Sequence, residues 1–74
     1  MCHLEFILHT YEGSEEKIKN ALSEFGRDLQ IAESVDAESA GRNFIVQLNT
    51  DDPTVIFDLC AQFGRIRSVR VDEA

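Results

Sequence analysis

From Cys2 to Thr10 apolar and polar positions alternate. Cys2, Leu4, Phe6 and Leu8 share one side of an extended chain; His3, Glu5, Ile7 and His9 share the other. One side is apolar and the other mixed, which predicts a strand in a sheet covered on one face. After Tyr11-Glu12-Gly13-Ser14 the period changes. Ile18, Ala21, Leu22 and Phe25 recur at i, i+3, i+4 and i+7, the single stripe of an amphipathic helix. Ser14 is placed to cap that helix, Glu15 and Glu16 suit the positive end of its dipole, and Gly26 is expected to close it from the C′ position.

The rest of the chain is a looser copy of the same design. Asp28 to Val35 alternates less cleanly, with Leu29, Ile31 and Val35 on one face and Glu33 intruding, as an edge strand tolerates. The small, polar run Asp36-Ala37-Glu38-Ser39-Ala40-Gly41 predicts a hairpin loop. Arg42 to Asn49 is a second well-formed strand, with Phe44, Val46 and Leu48 facing one way and Asn43, Ile45, Gln47 and Asn49 the other. Asp52 is the expected N-cap of a second helix and Pro53 its first residue. Ile56, Leu59, Cys60 and Phe63 form its stripe, with Val55 beside it and Gly64 as its stop. Ile66 to Val71 is the last strand, Val69 and Val71 on one face and Ser68 and Arg70 on the other.

The order β-α-β-β-α-β, with each helix apolar on one stripe, requires both helices to cover the same face of one sheet. Right-handed crossovers then give an α+β fold: a four-stranded antiparallel sheet of order 4-1-3-2, the ferredoxin-like arrangement. Residues 1–74 are expected to form a single domain. Its predicted core is Leu4, Phe6, Leu8, Ile18, Leu22, Phe25, Ile31, Phe44, Val46, Leu48, Ile56, Leu59, Phe63, Val69 and Val71.

Composition narrows the function. Seven basic residues against 14 acidic ones leave a net charge of −7, which opposes a nucleic-acid backbone or an anionic membrane as partner. No apolar run is long enough to span a bilayer, and the N-terminus lacks a basic segment leading into an apolar one, so the expected location is cytoplasmic. Cys2 and Cys60 are open to a disulfide, but a small chain without a secretion signal favours two reduced, buried thiols.

The face opposite the helices is the first place to look for chemistry. Single-strand RNA readers of this fold set aromatic rings on the two central strands; here those positions hold Ile7 and Ile45. That isoleucine pair, flanked by polar groups, is a candidate self-association surface, which would make the protein a homodimer; an ordinary solvated sheet face is the equal alternative. His3 and His9 stand about 20 Å apart along an extended strand, too far to share one ion, so no metal site is expected. The cysteine pair of metal carriers with this fold is absent from the first loop, and so is the arginine of its acyl-phosphate hydrolases. Neither cysteine has an identifiable base, and no carboxylate pair can be read from the spacing. The expectation is a protein without catalytic residues or cofactor. The Gly13-Ser14 turn into the first helix offers free amides to an anionic ligand, though the same residues also serve simply to turn and cap the chain.

The order of elements, the glycine turn before the first helix and the closing Gly64-Arg65-Ile66-Arg67-Ser68-Val69-Arg70-Val71 together resemble an ACT-like domain over nearly the whole chain. Members of that family are small regulatory modules that pair through sheets or helices and often bind amino acids at interfaces near the first loop. The loop here differs from their Asp-x-Pro-Gly type of turn. The resemblance implies a non-enzymatic regulatory module that binds a small metabolite, an amino acid among the candidates, through Tyr11, Glu12, Gly13 and Ser14. The alternative is a protein-interaction module with no small ligand.

Overall fold

A computed structural model describes residues 1–11, 14–34 and 41–73. Its elements follow the expected order: β1 (Cys2–Thr10), α1 (Glu15–Leu22), β2 (Arg27–Ser34), β3 (Arg42–Thr50), α2 (Pro53–Ala61) and β4 (Arg65–Glu73). The strands form one antiparallel sheet in the order β2-β3-β1-β4, which is 4-1-3-2 read from the other edge. β1 and β3 pair without a break from Cys2 opposite Thr50 to Thr10 opposite Arg42. Both outer strands, by contrast, slip by one residue. On β2 the pair Asp28-Leu29 stands against Leu48 alone, and on β4 Ser68-Val69 stands against Phe6 alone. Each bulge opens on a residue with φ 55°, Asp28 or Ser68, the left-handed geometry of the first position of a G1 bulge, which glycine ordinarily takes. The bulges also twist the two sheet edges, which discourages unwanted strand pairing.

The core lies between the sheet and the two helices. Leu4, Phe6 and Leu8 of β1 and Phe44, Val46 and Leu48 of β3 are buried there against Ile18 and Leu22 of α1 and Ile56 and Cys60 of α2. Leu29, Ile31, Leu59, Phe63 and Ile66 pack around this cluster, partly buried. Phe57, outside the expected stripe, sets its ring edgewise to Phe6 with centroids 5.8 Å apart. Three expected core residues are exposed: Phe25 (47%), Val69 (49%) and Val71 (47%). α1 ends at Leu22, so Phe25 falls in the turn beyond it and leaves the helical stripe. β4 is an outer strand; Ile66 near its start packs against the core cluster, whereas the two valines further along it stay exposed.

The helix ends show how the two halves interlock. Ser14 caps α1 as expected, its hydroxyl accepting the Lys17 N–H at 3.3 Å. Asp52 occupies the N-cap of α2 without a side-chain cap bond; its own N–H donates to Thr50 Oγ1 at 3.1 Å. Neither helix closes on a C′ glycine. After each helix the carbonyl of its last buried residue, Leu22 or Cys60, accepts from two successive amides: Phe25 and Gly26 in one half, Phe63 and Gly64 in the other. The tripeptide Phe-Gly-Arg therefore recurs at 25–27 and 63–65, entering β2 and β4. Buried Thr10, at the end of β1, donates to Phe63 O at 2.7 Å; buried Thr50, at the end of β3, donates to Phe25 O at 2.9 Å. Each half thus satisfies the turn of the other.

The glycines are needed for close approach. A Cβ on Gly64 would fall on the His9 carbonyl oxygen and lie 2.9 Å from its carbonyl carbon, both backbone atoms. One on Gly26 would overlap Leu48 Cδ1, the tip of a side chain. Backbone in a central strand cannot retreat, whereas a leucine can change rotamer. Gly64→Ala is therefore expected to cost more than about 4 kcal/mol and Gly26→Ala about 1–3 kcal/mol in denaturant unfolding. The reverse order would contradict this packing.

Candidate functional site

The face of the sheet opposite the helices is ordered as cross-strand rows. Gln30, Gln47, Glu5 and Arg70 form one; Ala32, Ile45, Ile7 and Arg67 the next; Ser34, Asn43, His9 and Arg65 the third. The β4 bulge shapes this pattern. Without it Arg65 and Arg67 would lie on the opposite face from Arg70, because side chains alternate with period two. With it all three reach the open face, and Ile66 still turns inward opposite Leu8.

The third row carries the most developed chemistry. Asn43 is 7% exposed, and its Oδ1 lies 3.2 Å from Arg67 Nη2 and 2.7 Å from His9 Nδ1. A guanidinium can only donate, so the asparagine atom it meets is the amide oxygen. That oxygen can only accept, so His9 carries a proton on Nδ1. In the neutral ring Nε2 is then left with a free lone pair, and it has no hydrogen-bond partner among the described residues. Tyr11, 74% exposed, stands at right angles to the His9 ring (interplanar 87°, centroids 5.1 Å apart). His9, Tyr11, Arg65 and Arg67 line an open cleft of about 270 Å³ at this end of the sheet, beside the first loop.

The other end of β1 repeats the motif with opposite charge. His3 Nδ1 lies 2.9 Å from Asn49 Oδ1, and Asn49 Nδ2 donates to Asp28 Oδ2 at 3.1 Å. The carboxylate only accepts, so the asparagine orientation is fixed, and His3 too carries its proton on Nδ1. Between the two ends Glu5 accepts from Gln47 Nε2 at 3.3 Å. Arg70 stands opposite Glu5 in register, while its Nε lies 3.6 Å from Asp72 Oδ2.

Of the residues expected to bind a ligand, Tyr11 lines the cleft and Ser14 is engaged as the cap of α1; Glu12 and Gly13 lie outside the described residues. So do Val35 to Ala40, which cover most of the expected hairpin loop. Ile7 and Ile45 are register partners at the middle of the open face, with Ala32 completing an apolar row across three strands. Among the described residues no group of three or more His, Cys, Asp or Glu side chains is placed to hold a metal ion. Both cysteines are free; burial pushes the Cys60 thiol up to about 12, so at neutral pH it is a packing group and not a nucleophile. No helix among the described residues is long and apolar enough to cross a membrane.

Sequence reasoning passed over Asn43, Arg65 and Arg67. Strand order alone sets Arg65 and Arg67 beside His9, but plain alternation puts them on the face of Val69 and Val71, and only the bulge brings them to the open face. Compared with protein families, curated protein sequences and solved structures, the chain finds no match in any of the three.

The deduced tautomer can be tested directly. Long-range ¹⁵N–¹H correlation of the His9 ring at neutral imidazole is expected to show protonated Nδ1 and bare Nε2, and Asn43→Ala is expected to shift the ring toward the Nε2–H form usual in free imidazole. An Nε2–H ring in the unsubstituted protein would contradict the assignment.

Proposed function

We propose that the chain is a non-enzymatic, ferredoxin-like module of the ACT-like regulatory kind, which binds a small metabolite at the first-loop end of its sheet and self-associates through the open face. The observation that carries this reading is the cleft lined by His9, Tyr11, Arg65 and Arg67. It is concave, lies next to the loop where the resemblance expects ligand, and joins two cations to a polar ring and an aromatic wall. A few convergent polar groups around a cavity are the usual form of a small-molecule site. Asn43 holds His9 and Arg67 together, so two of the converging groups are fixed in place.

Ile7 and Ile45 support the self-association half of the reading. Their row gives a partner copy apolar contact at the centre of the face, with hydrogen-bonding rows on either side. A domain of 74 residues also has little core to spare, and a second copy adds to it.

Light scattering and thermal melting, each with and without an amino-acid mixture, test both halves. The expected result is a dimer that melts higher with the mixture, as mass action requires of a ligand bound only by the folded state. Ile7→Glu or Ile45→Glu is expected to yield a folded monomer, since each would bury a charge in the interface. A monomeric unsubstituted protein whose melting ignores the mixture would sink the proposal.

A further inference from the structure

The chemistry of the cleft narrows what can fill it, given that the cleft is the ligand site of the proposed function. Arg65 and Arg67 alternate on β4 and leave it on the same face, opposite His9 and Ile7 of β1. The two rows they belong to contain no carboxylate: Ser34, Asn43 and His9 in one, Ala32, Ile45 and Ile7 in the other. The net charge of −7 does not cancel this local excess. At physiological salt exposed charges are screened over about 8 Å, so among the described residues only acids close to these two rows weigh against it. Glu5, on the same face of β1, is one row beyond Ile7 and Arg67, about 7 Å at the usual strand rise, but it is bonded by Gln47 and stands opposite a cation of its own, Arg70. The cleft therefore attracts anions within an acidic protein.

Cations alone would accept any anion. His9 adds a demand. Asn43 holds its proton on Nδ1, and the bare Nε2 of the neutral ring seeks a donor. The preferred ligand thus presents acceptor oxygens to two guanidinium groups and a hydroxyl to the imidazole. We propose that the cleft binds a small oxyanion that keeps a hydroxyl, with hydrogen phosphate its simplest member. Its oxygens accept from Arg65 and Arg67 while its hydroxyl donates to His9 Nε2. The Tyr11 ring, edgewise to His9, forms part of the cleft wall.

Sulfate is the matched control, being tetrahedral and doubly charged but without a hydroxyl at neutral pH. The experiment titrates the ¹⁵N-labelled protein with sodium phosphate or sodium sulfate at constant ionic strength, at about pH 8 where ordinary imidazole is neutral. Saturable shifts of His9, Tyr11, Arg65 and Arg67 are expected, with phosphate bound about tenfold more tightly than sulfate, the worth of one hydrogen bond to a charged partner. His9→Ala is expected to erase that preference, and Arg67→Gln to weaken both anions by about tenfold or more. Arg70→Gln, outside the cleft, is expected to change neither. Circular dichroism checks that each variant is folded.

Equal or tighter binding of sulfate, or a preference that survives His9→Ala, would overturn the proposal. So would the absence of shifts with phosphate. If the amino-acid mixture still moves the same four residues, the choice of ligand class falls while the cleft remains a metabolite site. If no compound moves them, both readings fall together.

Discussion

The unbroken pairing of β1 with β3 is the constraint on which the rest of this structure depends. Nine consecutive partners, from Cys2 opposite Thr50 to Thr10 opposite Arg42, fix one register. Since strand side chains alternate, that register commits every residue of both strands to a face. Leu4, Phe6, Leu8, Phe44, Val46 and Leu48 form the floor of the core. The same register pairs His3 with Asn49, Ile7 with Ile45 and His9 with Asn43 on the other side. A slip of one residue would bury histidines and expose leucines, so the hydrophobic effect protects the polar arrangement as firmly as the core.

The outer strands solve a different problem. Each must bury apolar residues near a helix and also meet a central strand whose pattern is already set. A bulge reconciles the two. On β4 it lets Ile66 turn inward opposite Leu8 while Arg65, Arg67 and Arg70 all reach the open face. The cost is a left-handed residue without a glycine at Ser68 and, on β2, at Asp28. The result is a face divided by charge, with a cationic cleft at the end of β1 near the first loop and Asp28 at the other end, bonded to Asn49.

Much of this was legible in the sequence, for physical reasons. The apolar inward positions recur at every second residue from Cys2 to Leu8 and from Phe44 to Leu48, because both strands are central and one face of each is covered; order and topology follow from that pattern together with the two helical stripes. Sequence pattern fails where that constraint relaxes. Val69 and Val71 look like core residues by their spacing, but a strand with one neighbour is not covered along its whole length. Phe25 fits the helical stripe, yet the turn that carries Gly26 against Leu48 ends the helix before it. The cleft was half visible: Tyr11 belongs to the expected loop site, whereas Arg65 and Arg67 arrive only through a bulge that no local composition announces.

The central claim is that a register shift on β4 places Arg65 and Arg67 beside His9 and Ile7. Cross-strand nuclear Overhauser effects along β1 and β4 test it most directly. The account predicts contacts of His9 with Arg65 and Leu8 with Ile66 on one side of Ser68, together with Glu5 with Arg70 and Leu4 with Val71 on the other. A single continuous register, with His9 opposite Ile66 and Leu8 opposite Arg67, would contradict it and dismantle the cleft.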